Sequence, residues 1–223
     1  MLFLGILLAA ASLSSIVLAA PAKRDLDSIV LPESTLPAPA SGLKLKYIIL
    51  GVGTQNYTCA DGAAGTLATA VGAVATLYDM SSVANDPFSK EKIQCTPPVA
   101  LGAYTMGQNV LDGYVKVAGY ANVIGKHFFD ASGVPTFELS GASVSPKPLV
   151  KAAKKANVAA PAGAFAGMPP NGAVDWLYLA DNGNSVGLTA VYRVETAGGK
   201  ANSCENKPGA QEVKYATEYW MYG

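Results

Sequence analysis

The chain has 223 residues, half of them hydrophobic and only 14% charged, with 16 basic and 16 acidic side chains in balance. That composition allows one main hydrophobic core and excludes a disordered polyelectrolyte, a coiled coil, and a nucleic-acid binder that works through a positive field. One histidine, three cysteines and two arginines leave few of the side chains that most enzymes use for chemistry.

Residues 1–20 are apolar and uncharged, and they end in small side chains at Ala19 and Ala20, the pattern of a secretory signal peptide. Residues 21–24 then read as a short pro-segment closed by the dibasic pair Lys23-Arg24. Removing both leaves 14 basic against 16 acidic residues and a single arginine, Arg193. No later stretch has the length and hydrophobicity of a membrane span. The expected product is secreted, extracellular or wall-associated, with no membrane and no nucleic-acid partner.

Residues 25–42 are rich in Pro and Ser and read as an extended lead-in to a single β domain over 43–223. From Leu43 apolar residues alternate with Lys44 and Lys46, and then Ile48 and Leu50 make both faces apolar, so this strand enters a core as it proceeds. Asn56-Tyr57-Thr58 is a sequon and marks Asn56 for glycosylation. Further strand-like runs are Gly72 to Tyr78, Lys126 to Asp130, Pro135 to Ser140, Val174 to Ala180, Leu188 to Thr196 and Glu212 to Tyr222. Two hairpins are expected, one through Ala131-Ser132-Gly133 and one through Asp181-Asn182-Gly183-Asn184. Residues 81–125 show no clear period. Lys147 to Ala173 reads as a long surface connection with at most a helical turn or two around Lys151 to Ala156. Seven strands separated by Gly, Pro, Asn and Ser give the fold class: all-β, a single antiparallel β-sandwich or jelly-roll-like domain.

The motifs that look chemical lack the context their chemistry needs. Gly51-Val52-Gly53 follows a strand but has Asn56 in place of the third glycine of a dinucleotide fingerprint, and no helix follows. Gly183 to Gly187 matches G-x-S-x-G, yet a strand rather than a helix comes next, so Ser185 sits in a hairpin turn. Asp130-Ala131-Ser132-Gly133 lacks the second loop that an aspartic-protease dyad requires. His127 has no cluster of metal ligands around it in sequence and reads as a structural histidine. No catalytic residue, metal or cofactor is therefore assigned. In the last strand Glu218 and Trp220 share one face and Tyr215 and Tyr219 the other, and both faces are apolar enough for a central strand. Aromatic and carboxylate side chains remain as the binding candidates: Trp176, Glu218, Trp220, Arg193 and Asp130, for a polysaccharide of the cell wall. A carbohydrate-active enzyme is the alternative, and it would need two of Asp130, Glu138, Asp175, Glu195 and Glu218 to converge.

The three cysteines allow one bridge and one free thiol, and loop-closure entropy does not choose among the pairs. Position favours Cys59 and Cys204, which follow strong strand signals, over Cys95 in a Pro-rich loop. The blocks LKYIILGVGTQNYTC from Leu45, HFFDASGVPTF from His127, VDWL from Val174, VYRVETAGG from Val191 and YATEYW from Tyr215 resemble those of a fungal family of small secreted proteins of unknown function. Members of it often carry an automatic malate dehydrogenase label. The resemblance implies a Cys59–Cys204 disulfide and supplies no catalytic residues. A dehydrogenase of this kind needs bidentate arginines for its dicarboxylate and a histidine base, so malate dehydrogenase activity is not expected of a mature chain with one of each.

Overall fold

A computed structural model describes residues 26–169, 172–201 and 203–223. The expected signal peptide and the Lys23-Arg24 site lie outside the described residues. In chain order the elements are β1 (Leu45–Cys59), β2 (Thr69–Asp79), α1 (Ser89–Met106), α2 (Gln108–Val117), β3 (Val123–Phe129), β4 (Pro135–Glu138), β5 (Leu149–Val158), β6 (Gly172–Ala173), β7 (Trp176–Asp181), β8 (Ala190–Lys200) and β9 (Gly209–Tyr222). Every strand pairing is antiparallel.

The strands follow one another as β8-β7-β5-β4-β3-β2-β1-β9, and β9 pairs back onto β8, so eight strands close a barrel with β6 appended to the end of β8. The all-β expectation holds, but the architecture is a closed barrel and not a sandwich or jelly roll. Closure turns on local backbone devices that a hydrophobic pattern does not encode. At Gly53 an added Cβ would lie 1.9 Å from the Val74 carbonyl oxygen, and at Gly125 it would lie 1.9 Å from that of Glu138, so neighbouring backbones approach there as only glycine permits. The Gly51-Val52-Gly53 segment is thus part of a sharply coiled strand pair. Register shifts in β1, β2, β3, β5 and β8 add further bends.

Two cores result. Ile49, Leu77, Phe137, Val150, Val191 and Tyr219 fill the lumen. The alternate residues of the same strands, among them Ile48, Leu50, Val194 and Trp220, face outward and pack beneath α1, α2 and the lead-in. Residues 26–42 are therefore more than a tether: Leu26 and Leu36 are buried, and Tyr192 Oη donates to the Pro37 carbonyl at 2.9 Å.

Two expectations need correction. Residues 81–125, which show no period, contain both helices. In α1 the buried residues Ile93, Pro97, Ala100 and Leu101 follow a helical spacing, but Pro97 and Pro98 inside the helix disguise it, and Cys95 is an exposed helix residue rather than a loop residue. The supposed connection from Lys147 contains β5, whose Val150 and Ala152 face the lumen. Alanine and lysine have low strand propensity, and pairing with β4 and β7 on its two sides overrides it. Both hairpins form as expected. At the second, Asp181 accepts from the amides of Gly183, Asn184 and Ser185.

The disulfide joins Cys59 to Cys204, the pairing that the resemblance implies, and fastens the end of β1 to the approach to β9 across 145 residues. In the chain-entropy view a loop of that length contributes roughly 5 kcal/mol.

The backbone contact at Gly53 predicts that Gly53→Ala costs at least about 2 kcal/mol, because a carbonyl oxygen cannot move aside as a side chain can. Urea unfolding of the variant measures this, and an unchanged midpoint contradicts the close approach.

Candidate functional site

A cleft of about 870 Å³ lies outside the barrel, against the wall formed by β7 and β8. Lead-in residues 28–33 form one side, the first half of α1 another, and the loop through Ala164 and Phe165 a third. The loop is held by the Gly198 amide, which donates to the Phe165 carbonyl at 2.8 Å, and by β6 pairing with Gly199 and Lys200. Pro97 and Pro98 deprive the Ile93 and Gln94 carbonyls of their helical donors on the α1 side.

Trp176 and Glu195 form part of the wall. Trp176 begins β7 facing outward; it is 3% exposed, and its Nε1–H has no hydrogen-bond partner among the described residues. Glu195 reaches the cleft through a β-bulge. Strict alternation from Val191 and Arg193 would turn it into the lumen. Instead β8 takes three steps from Val194 to Ala197 while β9 takes two, from Glu218 to Ala216. The extra residue places Glu195 in the left-handed region, at φ 47°, and turns it toward the cleft. Thr217 Oγ1 donates to the Val194 carbonyl at 2.8 Å and Thr196 Oγ1 to that of Val174 at 2.6 Å, which pins the bulge from both sides. No described residue pairs with the Glu195 carboxyl. Desolvation raises its pKa above the ordinary value.

Behind this wall lies Glu218, fully buried between the barrel and the helices. Its Oε2 accepts from Trp220 Nε1 at 2.7 Å, and its Oε1 has no partner. Desolvation drives its pKa well above the usual range, the Trp220 hydrogen bond opposes that, and the charge of Glu195 adds to it. Burial without a cation beside it among the described residues therefore disfavours its ionised form.

The structure does not gather the other candidates at the cleft. Trp220 has no exposed surface and cannot reach a polymer. Arg193 is held at the barrel wall, donating from Nε and Nη2 to the Asp175 carbonyl at 3.1 and 2.8 Å. Asp130 anchors the β3–β4 turn, accepting from the amides of Ser132 and Val134 and pairing with Lys151 Nζ at 2.9 Å, and these contacts lower its pKa. Glu138 lies beside Lys126 at 3.4 Å, and Asp175 Oδ2 accepts from Asn157. Asn56 lies in β1, where its Oδ1 accepts from Thr54.

Ser185 Oγ spans the backbone of Lys151, in a turn between strands. His127 is buried in the lumen, stacked on Phe137 at 4.1 Å with Nδ1 2.9 Å from the Thr136 carbonyl, and burial lowers its pKa to about 4. Among the described residues no group of three or more His, Cys, Asp or Glu is placed to hold a metal ion. What sequence reasoning missed is the importance of Glu195, because the bulge reverses the side that alternation gives it. The signal that could have found it is the Gly198-Gly199 pair just beyond, since such glycines often mark irregular strand backbone.

A family model described as a protein of unknown function (DUF3455) matches residues 39–223, and the chain belongs to that uncharacterised family. No curated protein and no solved structure matches it.

The buried acid and histidine oppose each other in pH dependence. The folded pKa of Glu218 lies above its ordinary 4.5, so its contribution to stability is complete below that pH and is lost as pH rises through the folded value. His127 is the reverse case: its contribution is present above pH 6.5 and is lost as pH falls toward 4, a loss of about 3 kcal/mol. Glu218→Gln keeps an acceptor for Trp220 and removes one of the two slopes. Thermal unfolding should show the variant more stable than wild type at pH 8, and falling more steeply between pH 6.5 and 4. A constant difference across that range contradicts the assignment.

Proposed function

We propose that the protein is a secreted, non-catalytic binding protein of the cell exterior or cell wall, whose cleft holds a short stretch of polysaccharide. The observation that carries this reading is the cleft itself, which has the Glu195 carboxyl in its wall without a partner among the described residues and the Trp176 indole behind it. Trp176 is only 3% exposed and gives the wall an apolar backing, while the carboxyl offers hydrogen bonds to the hydroxyls of a sugar. A volume of about 870 Å³ is in the range of ligand pockets and suits several sugar rings.

The exterior location is supported by the disulfide, and among the described residues no helix is long and apolar enough to cross a membrane. The signal peptide and the sequon at Asn56 point the same way. A binding role is favoured over two-acid hydrolysis by the placement of the carboxylates. Of the five candidates only Glu195 lines the cleft, and Glu218, its nearest charge partner, is enclosed behind the wall. Glycoside hydrolysis needs two carboxyl groups that both reach the scissile bond. Malate oxidation is not expected either, because Arg193 and His127 both lie away from the cleft and His127 is enclosed in the lumen.

The reading predicts retention of the mature, disulfide-bonded protein on at least one insoluble polymer among chitin, β-glucan and cellulose. Soluble oligosaccharides of that polymer should change the tryptophan fluorescence, and Trp176→Phe should abolish the change while Trp220 remains in place. No retention on any polymer, or a fluorescence response that survives Trp176→Phe, contradicts it. In a spectrophotometric assay with malate and a nicotinamide cofactor, the protein should give no turnover above the blank.

A further inference from the structure

The cleft holds an acid that no described residue neutralises. Among the described residues three charged ones line it: Glu33, Lys90 and Glu195. Glu33 and Lys90 are exposed and meet bulk water, where screening makes their charges weak determinants of binding. Glu195 is partly buried, desolvated, and without an ion pair or hydrogen bond to any described residue. Arg193, two residues before it on β8, is held by the Asp175 carbonyl. Behind Glu195 stands a second carboxyl, Glu218, with its Oε1 unpartnered, so the protein offers no compensating positive charge from that side. Trp176 backs the same wall and, at 3% exposed, gives it an apolar character without presenting a ring face.

We propose that the cleft selects a sugar bearing a primary ammonium group over its neutral counterpart, with the Glu195 carboxylate pairing the ammonium. This rests on the polysaccharide reading above and names the chemical class of the ligand. A hydroxyl would give the carboxylate one neutral hydrogen bond, whereas an ammonium brings three donors and the missing charge, and charge-assisted bonds are roughly twice as strong as neutral ones. An acetylated amine has neither the charge nor the donors, so the selection runs against N-acetylated sugars as well as against plain hexoses.

Titrating the mature, disulfide-bonded protein at about pH 6, where a carboxylate and a sugar amine are both substantially charged, tests this with three β-1,4-linked tetramers: of glucosamine, of N-acetylglucosamine and of glucose. The glucosamine tetramer should bind at least about 10-fold more tightly than either neutral one, as one desolvated charge-assisted pair would give. The preference should fall to within about 2-fold in Glu195→Gln. Glu195→Asn should behave in the same way, and it guards against misfolding because asparagine tolerates the left-handed backbone. Equal binding of the three tetramers, a preference for an N-acetylated or neutral one, or a glucosamine preference that survives both substitutions overturns the proposal. If the neutral tetramers bind without an amine preference, this inference fails and the polysaccharide reading stands. If no tetramer binds, this inference fails, and retention on the insoluble polymers decides the polysaccharide reading separately.

Discussion

The constraint on which this structure depends is that β9 and its neighbour β1 are apolar on both faces. A strand in an open two-layer sheet needs burial on one side only. Here Tyr215, Tyr219 and Met221 need one interior, and Ala216, Trp220 and Tyr222 need another. The chain meets both demands by rolling the sheet into a barrel, which encloses the first set, and by laying two helices and an N-terminal segment over the second. The barrel and its cover are therefore consequences of one pattern. The disulfide reinforces the arrangement by fixing the far end of β1 beside the start of β9, the two strands with the longest shared register.

The cleft arises where the cover stops. α1 packs against β9, β8 and β1, but around Trp176 and the β8 bulge the cover is made of pieces: the lead-in, the start of a proline-containing helix and a glycine-containing loop. Such pieces do not pack as one continuous layer, and the gap between them exposes the wall. The β8 bulge then decides the chemistry of that gap. By turning Glu195 from the lumen side to the outside, it places an uncompensated carboxyl beside an indole whose donor is unused, at the cost of a left-handed backbone at a non-glycine residue. Strain and unmet polar atoms concentrated in one cleft are the pattern expected where structure serves a ligand rather than stability.

Much of the strand content was legible because β-branched and aromatic residues dominate the strands that bury both faces, and the two hairpins announce themselves through Gly, Asn and Asp. β5 was hidden because three lysines and three alanines make up most of its ten residues, so its strand character comes from its neighbours and not from its own residues. α1 was hidden by Pro97 and Pro98, which break the rule used to find helices while its buried side remains intact. Closure was beyond the sequence, since a barrel and a sandwich share the same alternation and differ in which edges meet. Of the candidate site, Trp176 was legible as an aromatic on a strand. Glu195 was legible only as one acid among five, because a single inserted residue in the strand reverses the face that alternation assigns to it.

If function resides in the external cleft and not in the lumen or on the exposed strand faces, a bound ligand must perturb the cleft lining. Amide chemical-shift mapping on isotope-labelled mature protein, with a soluble polysaccharide fragment added in steps, reads this directly. Shifts should concentrate in the lead-in around Ile29 to Leu31, in α1 around Ile93 and Gln94, at Phe165, and at Glu195 and Thr196. Shifts centred instead on the outer face of β2 at Val71 and Val74, or spread through the lumen around His127 and Tyr219, would contradict a function in the cleft.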